Sequence, residues 1–117
     1  AEYQRGRMLF VLTTNLDAQR PVVWNMGEIA RVGTSEALQL YRRVIMASAA
    51  IPGAFPPVPI KVEADGKVYD ELHVDGGTTR ETFVLPVQAP FKAFDKLYKA
   101  PPIRKLYLVK NGKLNPE

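Results

Sequence analysis

Residues 47–58 read ASAAIPGAFPPV, and residues 74–77, a short distance further along the chain, read VDGG. Proline disfavours helical geometry at the residue before it, so a helix entering this stretch must end ahead of Pro52. The proline-dense text that follows cannot form a regular element. The stretch therefore predicts a helix, an irregular linker, and then a strand that ends on Asp75.

The neighbouring sequence extends this pattern to a mixed sheet-and-helix domain. The helix is predicted from 34 to 50, with Thr34 or Ser35 as its cap, and Asp65-Gly66 is a hairpin turn signal. The dense apolar runs favour a sheet covered on both faces, so the predicted class is α/β. The predicted strands are 8–12, 21–24, 60–63, 67–74 and 106–109, with a turn at 13–17, a short helix at 91–98, and a buried helical stripe formed by Leu38, Tyr41, Val44, Ile45 and Ser48.

Composition narrows the class of protein without identifying it. The chain has 117 residues, 46% hydrophobic and 24% charged, which is typical of a single globular domain. The absence of cysteine excludes disulfides and thiolate sites. Seven Lys and Arg lie between 92 and 113 against one acid, and we interpret them as a solvated face, with no nucleic-acid partner. The sequence indicates no compartment.

The tripeptide Asp75-Gly76-Gly77 is the candidate chemical feature. A carboxylate at the end of a strand is well placed for an active site in an α/β sheet. The two glycines permit positive φ and a close approach of backbone, so they would shape the turn around the carboxylate. Taken alone, however, such a tripeptide is more often a plain turn.

The order of segments upstream gives the tripeptide its context. The helix ending in ASAAIPGAFPPV, the hairpin and the final VDGG closely resemble the patatin-like phospholipase family, in which a helix ending in Ala-Ser-x-Ala-x-Pro-x-x-Phe-Pro-Pro precedes a hairpin and Asp-Gly-Gly/Ala. Residues 12–16 (LTTNL) and 21–23 (PVV) are similar to the family's strand pair before that helix. The resemblance covers about residues 8–86.

The resemblance implies a three-layer α/β/α domain that cleaves lipid or other acyl esters with a serine–aspartate dyad, without metal or cofactor. Asp75 falls on the catalytic aspartate, and Gly76 and Gly77 on its turn. The family's Gly-x-Ser-x-Gly and its glycine-rich oxyanion loop are both absent from the 117 residues. We therefore expect the chain to be the C-terminal half of the domain, inactive alone, self-associating or pairing with its missing N-terminal half, and acting on a lipid substrate at a membrane surface.

Other polar residues have simpler interpretations. The two serines, Ser35 and Ser48, are predicted to cap the helix and to bond back to a helix carbonyl. His73 is predicted to be a half-exposed strand residue, side by side with Asp75 and not turned onto its carboxylate. Arg80 is predicted to be a surface loop residue. The acids Asp65, Asp70, Glu71 and Asp75 lie at different ends and faces of the hairpin, so no metal site is expected.

One alternative from another class of protein stays open on the sequence. The chain could be a non-catalytic binding or scaffold module in which Asp75-Gly76-Gly77 is only the turn after a hairpin.

Overall fold

The computed structural model describes residues 2–79 together with residues 100, 103, 105, 107 and 109. The chain divides into two compact units, Ala1–Glu81 and Thr82–Glu117, and all the helices and strands described lie in the first. The predicted helix at 91–98 falls outside the described residues. Of the predicted strand at 106–109 only Tyr107 and Val109 are described, and both are exposed and lie outside regular structure.

Four antiparallel strands form one sheet in the order β2-β1-β4-β3. Two hairpins, β1–β2 and β3–β4, supply the outer pairs, and β1 and β4 join them in the middle. The turn at Asp65-Gly66 has positive φ at both residues, 51° and 71°, as a tight two-residue hairpin turn requires. The strands are β1 (Phe10–Asn15), β2 (Arg20–Asn25), β3 (Val58–Ala64) and β4 (Lys67–Asp75).

Two helices follow the first hairpin. Helix α1 (Met26–Val32) begins at Asn25, whose side chain accepts from the backbone N–H of Glu28, and ends at Gly33 with φ 73°. Helix α2 (Ser35–Ser48) begins after Thr34, whose hydroxyl accepts from the N–H of Ala37 at 3.2 Å. The capping prediction is confirmed for Thr34 and is wrong for Ser35, which is the first residue of the helix itself. Helix α1 was not predicted, although its Asn cap and closing glycine are recognisable start and stop signals.

Both helices pack on the same face of the sheet. The fully buried centre of the core joins Met26 of α1, Val44 and Ala47 of α2 and Ile60 of β3. Around this centre lie partly buried apolar residues from the two helices and the three strands β1, β2 and β3: Val11, Trp24, Ile29, Leu40, Tyr41 and Val58. The mixed α/β class is thereby confirmed, but the described residues place both helices on one face of a four-stranded antiparallel sheet and do not show the predicted cover on the second face.

The predicted apolar stripe of α2 is wrong at two positions. Leu38 and Ile45 are exposed, whereas Leu40 and Ala47 face the core. The sequence offers apolar residues on several sides of this helix, so the periodicity alone fits more than one face. The position of the sheet and of α1 selects the face that is buried.

The predicted turn at 13–17 is wrong for its first three residues, because β1 continues through Thr13 and Thr14 to Asn15, and it is confirmed for the last two, since the turn begins at Leu16. All three side chains are buried and hydrogen-bonded. Threonine is a good strand former, and a buried hydroxyl is tolerated when it has a partner.

In the described part of the chain, no helix combines the length and the apolar character needed to cross a bilayer.

The register of α2 can be tested with two neighbouring residues. Val44 is 0% exposed and Ile45 is 42% exposed. We expect Val44→Ala to lower the free energy of unfolding by about 1–3 kcal/mol, through lost burial and a residual cavity. Ile45→Ala should change it by less than about 0.5 kcal/mol. Urea unfolding measures both, and equal losses at the two positions would contradict this packing.

Candidate functional site around Asp75

Asp75 is the last residue of β4 and lies opposite Thr13 of β1. Its backbone N–H donates to the carbonyl of Ala50 at 3.0 Å, and its carbonyl accepts from the hydroxyl of Thr14 at 3.1 Å. The end of the strand is thus tied both to the central sheet and to the chain just past α2. The Asp75 side chain itself is half-buried.

One carboxylate oxygen of Asp75 is already engaged. Oδ1 accepts from the backbone N–H of Gly77 at 2.7 Å, and so caps the short 3-10 turn Gly76–Thr78. Among the described residues this is the one hydrogen bond to the carboxylate. The backbone contact fixes the orientation of the group and leaves Oδ2 available to another partner.

The structure bears out one of the two roles predicted for the glycines, close backbone approach, at Gly76 and contradicts the other, positive φ. Neither Gly76 nor Gly77 has positive φ. Gly76 is buried, and a Cβ there would lie 2.7 Å from both the carbonyl oxygen and the Cγ of Leu12. Close approach of two backbones therefore explains Gly76. At Gly77 an added Cβ would lie 3.2 Å from Oδ1 of Asp75, a contact that a small shift could relieve.

The prediction of a half-exposed His73 is wrong, because the ring is 0% exposed. Its Nδ1 lies 2.9 Å from Oγ1 of Thr13, and its Nε2 lies 3.2 Å from Oε2 of Glu71. The ring also meets Trp24 edge-on, with centroids 5.6 Å apart. The expectation that the ring would not turn onto the carboxylate of Asp75 is confirmed.

The polar side chains around His73 are connected to one another by hydrogen bonds. The indole N–H of Trp24 can only donate, and it donates to Oγ1 of Thr13 at 2.8 Å. Nδ1 of His73 shares a hydrogen bond with the same Thr13 hydroxyl, and Nε2 shares one with Glu71, and the ring tautomer decides which atom donates in each. The amide of Asn15 donates to the same Glu71 oxygen at 2.8 Å.

These five side chains form a continuous polar network across the sheet, which we call the Thr13–His73 network: Trp24, Thr13, His73, Glu71 and Asn15. Thr13 is also the residue opposite Asp75 in the pairing of β1 with β4. The network therefore supports the strand pair that holds Asp75. Sequence reasoning missed it, and its one visible signal was a Thr-Thr-Asn run in an otherwise apolar strand.

Neither serine hydrogen-bonds to Asp75. Ser35 is the first residue of α2, whereas the backbone of Asp75 is bonded just past the other end of this helix, about 20 Å away at 1.5 Å per residue. Ser48 donates to the carbonyl of Ile45 at 2.8 Å, as predicted. A serine nucleophile for Asp75 is therefore not supplied by the described residues.

Within residues 2–79 and the five further described positions, no three His, Asp or Glu side chains are grouped so as to hold a metal ion. Arg80 and most of the basic segment 92–113 lie outside the described residues. No protein-family model, curated protein or solved structure matches the chain. The functional assignment therefore depends on the residues and their geometry.

The Thr13–His73 network predicts that the Thr13 hydroxyl is important for stability. Thr13→Val leaves the Trp24 indole and one His73 nitrogen without partners, so we expect a loss of about 2–4 kcal/mol in the free energy of unfolding. Thr13→Ser keeps the hydroxyl and removes one methyl, which should cost about 1 kcal/mol. Urea unfolding measures both, and a larger loss for Ser than for Val would contradict the network.

The glycine pair generates a second prediction. Gly76→Ala forces a shift of the Leu12 backbone and should lower the free energy of unfolding by about 1–3 kcal/mol. Gly77→Ala needs only a small movement of the Asp75 carboxylate, so its cost should stay below about 1 kcal/mol. If thermal or urea unfolding ranks the two variants in the reverse order, close approach is not the reason for Gly76.

Proposed function

We propose that this chain supplies the general base, Asp75, of a serine-dependent lipid acyl hydrolase of the patatin-like type. The observation that carries the proposal is the setting of Asp75: a half-buried carboxylate at a strand end, oriented by one backbone N–H and with its second oxygen available. This setting occurs within the sequence of helix, proline linker, hairpin and Asp-Gly-Gly that resembles that family.

In the proposed reaction, Oδ2 of Asp75 takes the proton of a serine hydroxyl as the serine oxygen attacks the acyl carbonyl. The ester C–O bond breaks, the protonated aspartate returns the proton to the leaving alcohol, and an acyl-serine remains. Water, deprotonated by the same carboxylate, then releases the fatty acid and restores the serine. A carboxylate is a weak base for an alcohol, so most of the rate enhancement must come from an oxyanion hole.

The serine and the oxyanion loop come from a further segment of the domain in this proposal, the N-terminal half that the resemblance implies. That segment would also complete the three-layer α/β/α arrangement. The requirement follows from the geometry of the two serines, since Ser35 lies at the far end of α2 and the Ser48 hydroxyl is bonded to its own helix.

A lipid substrate is supported by apolar side chains beside the proposed site. The linker that leaves α2 carries Ile51 and Phe55, which are 55% and 58% exposed, and it begins at Ala50, whose carbonyl is bonded to the Asp75 backbone. Met46, in the last turn of the helix, is also exposed. Exposed apolar groups close to a site are typical of contact with lipid or a membrane surface.

A second function is favoured by one specific observation. The hydrogen bond from Gly77 to Oδ1 of Asp75 is also what a purely structural turn-capping aspartate would make. In that case the chain is a non-catalytic binding or scaffold module, and Asp75 only shapes the end of β4.

Substitution by asparagine separates the two functions, because Asn can keep the cap but cannot act as a base. In the complete reading frame, Asp75→Asn should lower kcat for hydrolysis of a p-nitrophenyl acyl ester by about 10²–10⁴-fold, with the melting temperature unchanged. The control is Asp70→Asn, an exposed acid in the same strand, which should retain full activity.

Hydrolysis that persists in Asp75→Asn would overturn the assignment of the base. A complete reading frame that has no Gly-x-Ser-x-Gly and no ester hydrolysis would favour the scaffold module.

A further inference from the structure

An open groove lies between α1, the N-terminal half of α2 and the outer strand β3. Its volume of about 790 Å³ falls in the range of small-molecule sites. Apolar residues from both helices line its middle, namely Ile29, Val32, Ala37 and Leu40, and charged residues lie around it: Glu28, Glu36, Arg43 and Lys61. Such a lining suits a ligand with an apolar body and a charged end.

The two basic residues of the groove, Arg43 and Lys61, have no salt bridge to a carboxylate among the described residues. A guanidinium nitrogen of Arg43 donates to the carbonyl oxygen of Pro59 at 2.7 Å. That partner is uncharged, so it orients the guanidinium and leaves its positive charge in place. Neither Arg43 nor Lys61 forms an ion pair with an acid in the described part of the chain.

The two acidic residues, in contrast, are already compensated. Glu28 accepts from the hydroxyl of Tyr3 and forms a salt bridge with Arg31 at 2.9 Å, and these contacts lower the pKa of Glu28. Glu36 lies in the first turn of α2, where its own backbone N–H and then the Ser35 hydroxyl lower its pKa, and the positive end of the helix dipole offsets its charge. In the described lining, positive charge without a carboxylate partner therefore lies at the Arg43 end of the groove.

We propose that this groove binds an apolar carboxylate, a medium-chain fatty-acid anion, with its carboxylate at Arg43 and Lys61 and its chain over Val32, Ala37 and Leu40. Arg43 follows Glu36 by two helical turns, about 10 Å, so the chain runs from the basic end toward the compensated acids. Ile29 and Leu40 belong to the edge of the core, and they give the chain a fixed apolar floor.

The groove is separate from the setting of Asp75. Lys61 lies opposite Asp70 in the register of β3 against β4, and Asp70 precedes Asp75 by about 16 Å of extended strand. On α2, the groove uses the N-terminal half, whereas Asp75 is bonded to the chain past the C-terminus of the helix. The inference therefore does not depend on the proposed function.

The test is calorimetric titration of the 117-residue chain with three probes of equal chain length: decanoate and decyltrimethylammonium, each below its micelle concentration, and decanol below its solubility limit. We expect decanoate to bind most tightly, with NMR shift changes at Val32, Ala37 and Leu40. Equal binding of decanol, tighter binding of the cationic probe, no binding of decanoate, or decanoate shifts confined to other residues would each overturn the proposal.

Matched variants locate the two ends of the ligand. Arg43→Gln and Lys61→Gln should each weaken decanoate binding about threefold to fivefold, as expected for a partly exposed charge, and should leave decanol binding unchanged. The control is Arg42→Gln, the adjacent exposed residue outside the groove lining. Arg43→Gln also removes the hydrogen bond to the Pro59 carbonyl, which could unfold the protein. In that case the effect of Lys61→Gln on decanoate binding decides the test.

A second pair of variants tests where the apolar chain of the ligand lies. Val32 is 63% exposed and lines the groove, whereas Val68 is 66% exposed on β4 and does not. Val32→Gln should weaken both decanoate and decanol binding, and Val68→Gln should change neither. An equal effect of the two valine variants would mean nonspecific adsorption of the chain and would overturn the groove assignment.

Discussion

Two local hairpins become one sheet where β1 meets β4, and the buried hydroxyl of Thr13 lies at that junction. A hydroxyl buried without a partner is costly, but this one accepts from Trp24 and is hydrogen-bonded to Nδ1 of His73. Every buried polar side-chain atom in the described part of the chain has a partner. Because a partly satisfied network is worse than an apolar core, this arrangement favours one register of β1 against β4.

That register determines where Asp75 lies. Thr13 is opposite Asp75 in the central pair, and Gly76 comes so close to Leu12 that a side chain would not fit. The same strand end is held from the helix side by the carbonyl of Ala50. The backbone of Asp75 is therefore positioned by contacts between segments far apart in the chain, while the carboxylate is oriented locally by the Gly77 N–H.

Helix α2 links two chemically different regions. Past its C-terminal end the chain is bonded through Ala50 to the strand end that carries Asp75, and then continues with the exposed apolar side chains of Ile51 and Phe55. At its N-terminal end an apolar groove is bordered by Arg43, whose charge is retained, and by Glu28 and Glu36, whose charges are compensated. The two regions differ because the ends of a helix offer opposite partial charges and different neighbours.

The sequence by itself determined what depends on neighbouring residues: the hairpin turn at Asp65-Gly66, the cap at Thr34, the end of α2 before Pro52, and the arrival of β4 at Asp75. These features follow from backbone sterics and local hydrogen bonds, and both can be predicted directly from the residue types. It also predicted the mixed α/β class, since the alternation of strands and helix is visible in the pattern.

Only the tertiary structure decided the features that require contacts across the chain. The buried face of α2, the continuation of β1 through its threonines, the burial of His73 and the reason for Gly76 all depend on which surfaces meet. A threonine or histidine can be exposed or buried with equal ease until a hydrogen-bond partner from another strand is in place. Residue type alone does not specify that partner, and so it could not predict the network that holds Asp75.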